Sequence, residues 1–171
     1  MGADADLRAM IRKLIVTSLI AASLAGCSGP APQGAADNAS RLLAAAASGD
    51  RVAFEAEIDR PAVRDDVRRQ MAEVARAERL DVEGGPSEFA LDRMIGPDAL
   101  RLVRAGTGEV VTAAPSAGQI AGRMKSIDSQ RACLRNDGAP DRCLLTFGKV
   151  KGGWRLVGMQ ASDLRIEVAG D

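Results

Sequence analysis

The chain of 171 residues contains no histidine and no tyrosine, and its only aromatic residues are Phe54, Phe89, Phe147 and Trp154. Without histidine it lacks the commonest general base and the commonest metal ligand at neutral pH. The 23 basic and 23 acidic side chains balance, so the chain lacks the basic excess that is typical of nucleic-acid binding. We therefore predict no nucleic-acid partner, no cofactor and no metal site.

Sequence motifs of catalysis are missing as well. The chain has no Gly-x-Ser-x-Gly, no Ser-x-x-Lys, no phosphate loop and no dinucleotide fingerprint. The nearest approaches to paired carboxylates are Asp65 with Asp66, Glu55 with Glu57, and Asp137 with Asp141. Adjacent helical side chains point about 100° apart and rarely converge on one site. We predict that these carboxylates are solvated and not catalytic.

The first 26 residues have the three parts of an export signal. Arg12 and Lys13 form a basic region, Leu14–Gly26 is apolar, and small residues precede Cys27. As a helix the apolar run is about 20 Å long, which is short for a hydrocarbon core of about 30 Å. A cleavable leader is therefore favoured over a permanent membrane span. Either Met1 or Met10 can be its start.

Leu24-Ala25-Gly26-Cys27 resembles a bacterial lipobox. This resemblance implies cleavage between Gly26 and Cys27, diacylglycerol on the Cys27 thiol and acylation of the freed amine. Two or more acyl chains anchor a protein stably. In Gram-negative lipoproteins Asp after the cysteine favours inner-membrane retention, so Ser28 favours the outer membrane, with the protein facing the periplasm. The alternative is an ordinary cleavable signal, which needs no cysteine after the cut.

The mature chain is predicted to be a short tether followed by one domain. Residues 27–37 are rich in Pro, Gly and small side chains, which cannot bury a core, and they predict a flexible tether. Residues 38–171 have the length of a single domain. The membrane, reached through the lipid on Cys27, is then the first predicted partner.

The first half of this domain has helical patterns. Helices are predicted at Ala39–Ser48, with Asp37 or Asn38 as the cap, and at Arg51–Ile58, capped by Asp50. After Pro61 a buried stripe is expected at Val63, Val67, Met71, Val74 and Ala75. Ser87 is predicted to cap a further helix that carries Phe89, Leu91 and Met94, and Asp98–Val103 a helical turn or two.

The last third has the two-residue period of strands. Strands are predicted at Arg123–Ser129, Arg131–Arg135, Arg142–Val150 and Trp154–Gln160, with turns at Asp137-Gly138 and Gly152-Gly153. Val110-Val111 is a possible short strand in a loop, and Trp154 is expected in the core. Helices followed by a strand meander predict an α+β fold, with N-terminal helices packed on a C-terminal antiparallel sheet of about four strands.

Three stretches carry a family resemblance: Gly49–Val67, Ile95–Leu100, and Leu144–Phe147 followed by Gly152–Val157. Together they resemble the bacterial domain of unknown function family 2939, over about residues 38–160. The resemblance implies a helical first half and a closing Trp-containing strand, and it implies no catalytic residue. That order of elements is similar to the cystatin-like or nuclear-transport-factor-two-like cone folds, which serve in binding proteins and enzymes alike.

Cys133 and Cys143 remain after Cys27 is assigned to lipid, and an even pair in an oxidising compartment usually bonds. A hairpin with Cys133 opposite Cys143 would bring the thiols within disulfide range. We predict a structural disulfide. A redox role is the alternative, but the pair lacks Cys-x-x-Cys spacing.

The sequence thus predicts a lipid-anchored, non-catalytic module that acts in binding or in envelope assembly, with an envelope protein, a peptide or a small apolar ligand as its partner. A pocket between the helices and the sheet, or the helix that carries Val67 and Met71, would supply the surface. The rival hypothesis is a small hydrolase or isomerase that uses carboxylates in such a pocket. Its candidates are Glu88, Asp92 and Asp98, provided that two of them are buried and face each other in one cleft.

Overall fold

The predicted fold class is confirmed. The computed structural model describes residues 32–79, 85–136, 139, 141–161 and 164–168. In this part of the chain most of the helices come first and a four-stranded antiparallel sheet follows, which is an α+β arrangement. None of the described helices is long and apolar enough to cross a membrane. The predicted leader, Cys27, and the turn at Asp137-Gly138 lie outside the described residues.

Three of the helices begin at caps that the sequence provides. The side chains of Asp50, Asp59 and Ser87 each accept a hydrogen bond from a backbone N–H in the first turn of the helix that follows. The helices are α1 Gln33–Ser48, α2 Arg51–Ala56, α3 Arg60–Ala77, α4 Glu88–Met94 and α5 Ala117–Ala121, with a 3₁₀ turn at Pro97–Ala99.

The start of α1 corrects the predicted tether. The helix begins at Gln33 and not at Ala39, so residues 33–37 belong to the domain, and Asn38 is a helical residue and not a cap. The reason is tertiary: Ala35, Ala36 and Ala39 are buried, and small side chains here let the helix approach the sheet closely. Local composition, which predicts a tether, is overridden by this packing.

The main sheet has four strands, which pair in the order in which they follow along the chain and are antiparallel throughout. Each strand lies within or close to its predicted range: β2 Met124–Ser126, β3 Arg131–Leu134, β4 Leu145–Val150 and β5 Gly153–Met159. Gly152 and Gly153 have φ angles of 98° and 132°, which L side chains rarely adopt. The predicted Gly-Gly turn therefore connects β4 to β5.

A second, two-stranded sheet was not predicted. Leu100–Arg104 forms β1 and Leu164–Val168 forms β6, and the two strands are parallel. The helical turn predicted at Asp98–Val103 holds only for Asp98 and Ala99, which belong to the 3₁₀ turn, and is wrong from Leu100 onward, where the strand begins. Alternate apolar side chains of the two strands enter the core, which favours extended backbone: Leu100, Leu102, Leu164 and Ile166. The possible strand at Val110-Val111 is a single bridge from Val110 to Val103.

Helix α5 was also missed, although its signal is local. The hydroxyl of Ser116 accepts the Gln119 N–H, and the Gln119 side chain accepts the Ser116 N–H, which is a capping box. The segment before it is joined to α1, because the Ser40 hydroxyl donates to the Pro115 carbonyl at 2.9 Å.

The side-chain amide of Asn136 joins the two sheets. It donates to the Arg165 carbonyl at 2.8 Å and accepts the Glu167 N–H at 3.0 Å. These are the two backbone groups that a neighbouring strand would bond on this side of β6. Asn136 therefore takes the place of a strand at that edge.

The core lies between the sheets and helices α1 and α3. Its largest fully buried side chains include Leu42, Leu43, Phe54, Phe147 and Leu156. The apolar stripe predicted for α3 is only half right. Val63 and Val67 are buried and Met71 packs partly on the core, but Val74 is 60% exposed. The apolar residues predicted for α4 are likewise only partly buried, because Phe89 is 72% exposed while Leu91 is buried.

The predicted pairing of Cys133 with Cys143 is confirmed at the level of distance. The two residues lie at disulfide distance, with Cα atoms 5.5 Å apart. The register behind that prediction was wrong, however. Cys133 is opposite Thr146 in the sheet, and Cys143 precedes β4. The bridge therefore joins a strand to the segment that leads into the next strand.

Candidate binding site

An apolar depression lies where α3, α4 and the segment from β5 to β6 meet. Its volume is about 180 Å³, and Gln160 is the one polar side chain among its described lining residues. Its other described lining residues are Val67, Met94, Ala99, Met159, Ala161 and Leu164. Ligand clefts for drug-sized molecules usually measure about 300–1,000 Å³, so this one suits a single apolar side chain or a molecule of that size.

Gln70 of α3 fixes one wall of the depression. Its side-chain amide donates to the Met159 carbonyl at 2.9 Å and accepts the Ala161 N–H at 3.1 Å. The same amide nitrogen donates to the Asp66 carboxylate at 2.7 Å. These bonds pair two backbone polar groups beside the depression, the Met159 carbonyl and the Ala161 N–H, as buried polar groups require.

The opposite wall, α4, is held by a ladder of arginines. Arg60, Arg64 and Arg68 are spaced four residues apart, so they lie on one face of α3. Asp92 accepts from Arg60 Nη1 at 3.0 Å and from Arg64 Nε at 2.8 Å, while Arg68 Nη2 lies 2.5 Å from Glu88 Oε1. Arg60 also bonds Glu55 and donates to the Ile95 carbonyl. The ladder therefore positions α2 and α4 against α3.

The ladder also sets the charge state of its carboxylates. Hydrogen bonding from the Arg64 guanidinium, with a further contribution from Arg60, holds the pKa of Asp92 below its ordinary value. The hydrogen bond to Glu55 correspondingly raises the pKa of Arg60. Asp92 is thus held as an anion, whereas a general acid needs a raised pKa near the working pH.

The three carboxylates of the rival hypothesis do not meet in one cleft. Glu88 and Asp92 both contact Arg64 on the outside of the arginine ladder, and Asp98 is exposed on the 3₁₀ turn. None of them is among the described lining residues of the depression. The stated condition for acid–base catalysis by this set, two buried carboxylates facing each other, is not met by their positions.

A second polar cluster was missed by sequence reasoning. Asn38 is fully buried on α1 and donates its amide to Glu57, which also accepts two hydrogen bonds from Arg41, at 2.8 and 3.0 Å. Asn38 Oδ1 has no hydrogen-bond partner in the described part of the chain. The cluster joins α1 to the end of α2. The burial of Asn38 follows from the early start of α1, which no local signal predicts.

The disulfide lies away from the depression. Cys133 is buried in β3, Cys143 is half-buried, and the Thr146 hydroxyl is 3.3 Å from Cys143 Sγ. Among the described residues, no group of three or more His, Cys, Asp or Glu side chains is arranged to hold a metal ion.

A second, more polar depression of about 420 Å³ follows the extended segment Glu109–Pro115. Arg104, Gln119 and Val168 complete its described lining, and Val110 is exposed beside it. Its described lining is more polar than that of the first depression, because Arg104, Glu109 and Gln119 belong to it. The first depression is therefore the better candidate for binding an apolar group.

Comparison of the chain with protein-family models, curated proteins and solved structures found no match. The resemblance to domain of unknown function family 2939 therefore stays a prediction. What defines the site is its geometry: a small apolar depression between three packed elements of an α+β domain.

Proposed function

We propose that this chain is a lipid-anchored binding module of the bacterial cell envelope, held on the periplasmic side by lipid on Cys27. It acts by binding an envelope protein or peptide through one apolar side chain, or a small apolar ligand of similar size. The observation that carries this proposal is the apolar depression formed by α3, α4 and the β5–β6 segment. Its size and chemistry support recognition of an apolar group.

Two further observations support binding over acid–base chemistry. The α4 carboxylates Glu88 and Asp92 are engaged by arginines. Gln70 pairs two backbone groups beside the depression, the Met159 carbonyl and the Ala161 N–H. Most of the described lining residues are apolar, and contact with them is favoured by roughly 25 cal/mol for each Å² removed from water.

The binding part of the proposal is tested with ¹³C-methyl methionine NMR. Met94 and Met159 line the depression, whereas Met124 is buried elsewhere in β2 and serves as an internal control. Toluene, the probe, should shift the methyl signals of Met94 and Met159 in a saturable way and leave Met124 unchanged. Ala161→Phe, which fills the depression, should abolish the shifts. Equal shifts at all three methionines would contradict a specific site.

The anchor is tested by mass spectrometry and fractionation. The chain expressed with its own leader should have a mass that begins at Cys27 and includes acyl groups. The Cys27→Ser variant should keep its leader and lose its lipid. The anchor would be contradicted if the wild type and Cys27→Ser were extracted from membranes identically and the wild type had a mass without lipid. The binding part of the proposal would not be affected.

A further inference from the structure

The chain enters the described domain at one particular end of the main sheet. Gly34, in the first turn of α1, lies against the Trp154 ring, because a Cβ atom at position 34 would be 2.8 Å from Trp154 Cδ1. Trp154 is the second residue of β5, directly after the turn from β4. The segment that comes from Cys27 therefore reaches the domain beside the β4–β5 turn.

This end of the sheet carries exposed cations. Lys149 pairs with Trp154 across the strands and Lys151 lies in the turn itself, and both side chains are exposed. Neither has an acidic partner within the described residues. The chain has 19 arginines and only four lysines, so two lysines here are a local concentration; the four are Lys13, Lys125, Lys149 and Lys151.

Apolar and amphipathic side chains lie beside these cations. The Lys149 N–H donates to the Gln130 carbonyl at 2.8 Å, which places the neighbouring β2–β3 connection at the same end of the sheet. Ile127 in that connection is 47% exposed, and Trp154 is half-buried. We call Ile127, Lys149, Lys151 and Trp154 the turn surface. Tryptophan next to lysine is the combination that favours the headgroup level of a bilayer.

The distance to the lipid limits how the domain can turn. Only Ser28–Pro32 separate Cys27 from the start of α1, so this connection spans at most about 20 Å in any conformation. A domain of this length is roughly 35 Å across. The end that carries Gln33 and the turn surface therefore stays near the membrane when Cys27 is lipidated.

We propose that the turn surface lies on the membrane and binds anionic phospholipid headgroups through Lys149 and Lys151, with Trp154 at the interface. This inference rests on the proposed lipid anchor at Cys27. Anionic headgroups attract lysines close to the surface, and salt screens this attraction. The lipid holds the protein to the bilayer, and the turn surface sets its orientation.

The orientation has a consequence for the apolar depression. Met159, which lines it, is the last residue of β5, whereas the turn surface is at the start of that strand. The length of β5 separates them by about 20 Å. The depression therefore lies away from the bilayer, on the side where partners in the periplasm can reach it.

Trp154 is the only tryptophan of the chain, so the tryptophan fluorescence of the protein reports the position of this one side chain. The full chain, expressed with its leader and purified from membranes, is reconstituted in vesicles that contain brominated phosphatidylcholine, with or without phosphatidylglycerol. Quenching is measured against the same vesicles without bromine. We expect quenching of Trp154 to be several-fold stronger with phosphatidylglycerol, and to fall at high salt.

Two charge reversals form a matched pair for this measurement. Lys151→Glu should reduce the quenching with phosphatidylglycerol to the level of neutral vesicles. Arg142→Glu makes the same change of charge at an exposed residue just before β4, at the opposite end of the sheet, and should leave quenching unchanged.

The outcomes separate the orientation from the anchor. If the protein carries lipid but its quenching does not depend on phosphatidylglycerol, the proposed orientation is wrong and the anchor is not affected. The same holds if both charge reversals change the quenching equally. A mass without lipid on Cys27 would overturn the proposed anchor, and the orientation with it, because the short connection to the lipid is its premise.

Discussion

Gly34 and the Trp154 ring are in contact, and this contact fixes where α1 begins against the sheet. A Cβ atom at position 34 would be 2.8 Å from Trp154 Cδ1 and 3.2 Å from Nε1. Distances below 3.0 Å are not tolerated without movement of the ring or the helix, and neither is free to move at low cost because both pack on the core.

Gly34→Ala should therefore destabilise the protein by about 1–2 kcal/mol, although Gly→Ala in a helix is normally favourable by about 0.5–1 kcal/mol. Chemical denaturation followed by Trp154 fluorescence measures this. Gly118→Ala in α5 is the matched control, because a Cβ there meets only Ser116 Oγ at 4.0 Å. Stabilisation by both substitutions would show that the contact with Trp154 does not constrain α1.

The apolar stripe of α3 should divide into a buried half and an exposed half. Val67 is 1% exposed and contributes to the depression, whereas Val74, two turns later, is 60% exposed. Val67→Asp buries a charge and should cost about 3 kcal/mol or more. Val74→Asp should change the free energy of unfolding by less than about 0.5 kcal/mol. Equal losses of unfolding free energy for the two variants, measured by urea unfolding, would mean that the second half of α3 is also buried.

The pairing of Asp92 with Arg64 and Arg60 should make the free energy of unfolding depend on pH in the acid range. The folded pKa of Asp92 is lowered from an unfolded value of about 3.9. Its contribution is therefore fully present above pH ~4 and is lost as the pH falls through the folded pKa. The difference in unfolding free energy between wild type and Asp92→Asn should shrink below pH ~4.

Arg64→Leu supplies the control for that titration, because Arg64 is the main cause of the lowered pKa. In the Arg64→Leu background, Asp92→Asn should have a weaker dependence on pH. If the pH dependence of stability were unchanged in the Arg64→Leu background, it would have to come from other carboxylates.

The disulfide between Cys133 and Cys143 should stabilise the domain without affecting the depression. The bridge closes a short loop, with a sequence separation of 10, and we expect its loss to cost about 2–3 kcal/mol. Cys133→Ala with Cys143→Ala should lower the unfolding midpoint and leave the toluene-induced shifts of Met94 and Met159 intact. Two free thiols in the native protein under non-reducing conditions would contradict the bridge.

Local signals in the sequence determined a large part of this protein. Helix starts at Asp50 and Ser87 follow from side chains that accept the first free N–H groups, and the Gly152-Gly153 turn follows from backbone angles that only glycine adopts easily. The four strands of the main sheet follow from the alternation of apolar residues. The disulfide partners follow from the number of cysteines, although the pairing register assumed for them does not hold.

Tertiary structure alone decided the rest. The parallel pair β1–β6 joins residues more than 60 positions apart, and no local pattern specifies such a partner. Helix α1 extends to Gln33 because Ala35, Ala36 and Asn38 are buried by distant elements. The depression exists only where α3, α4 and the β5–β6 segment meet. Lipidation of Cys27 can be proposed from the sequence because enzymes read a lipobox as a linear motif, whereas a binding surface arises from packing and can be identified only in the folded protein.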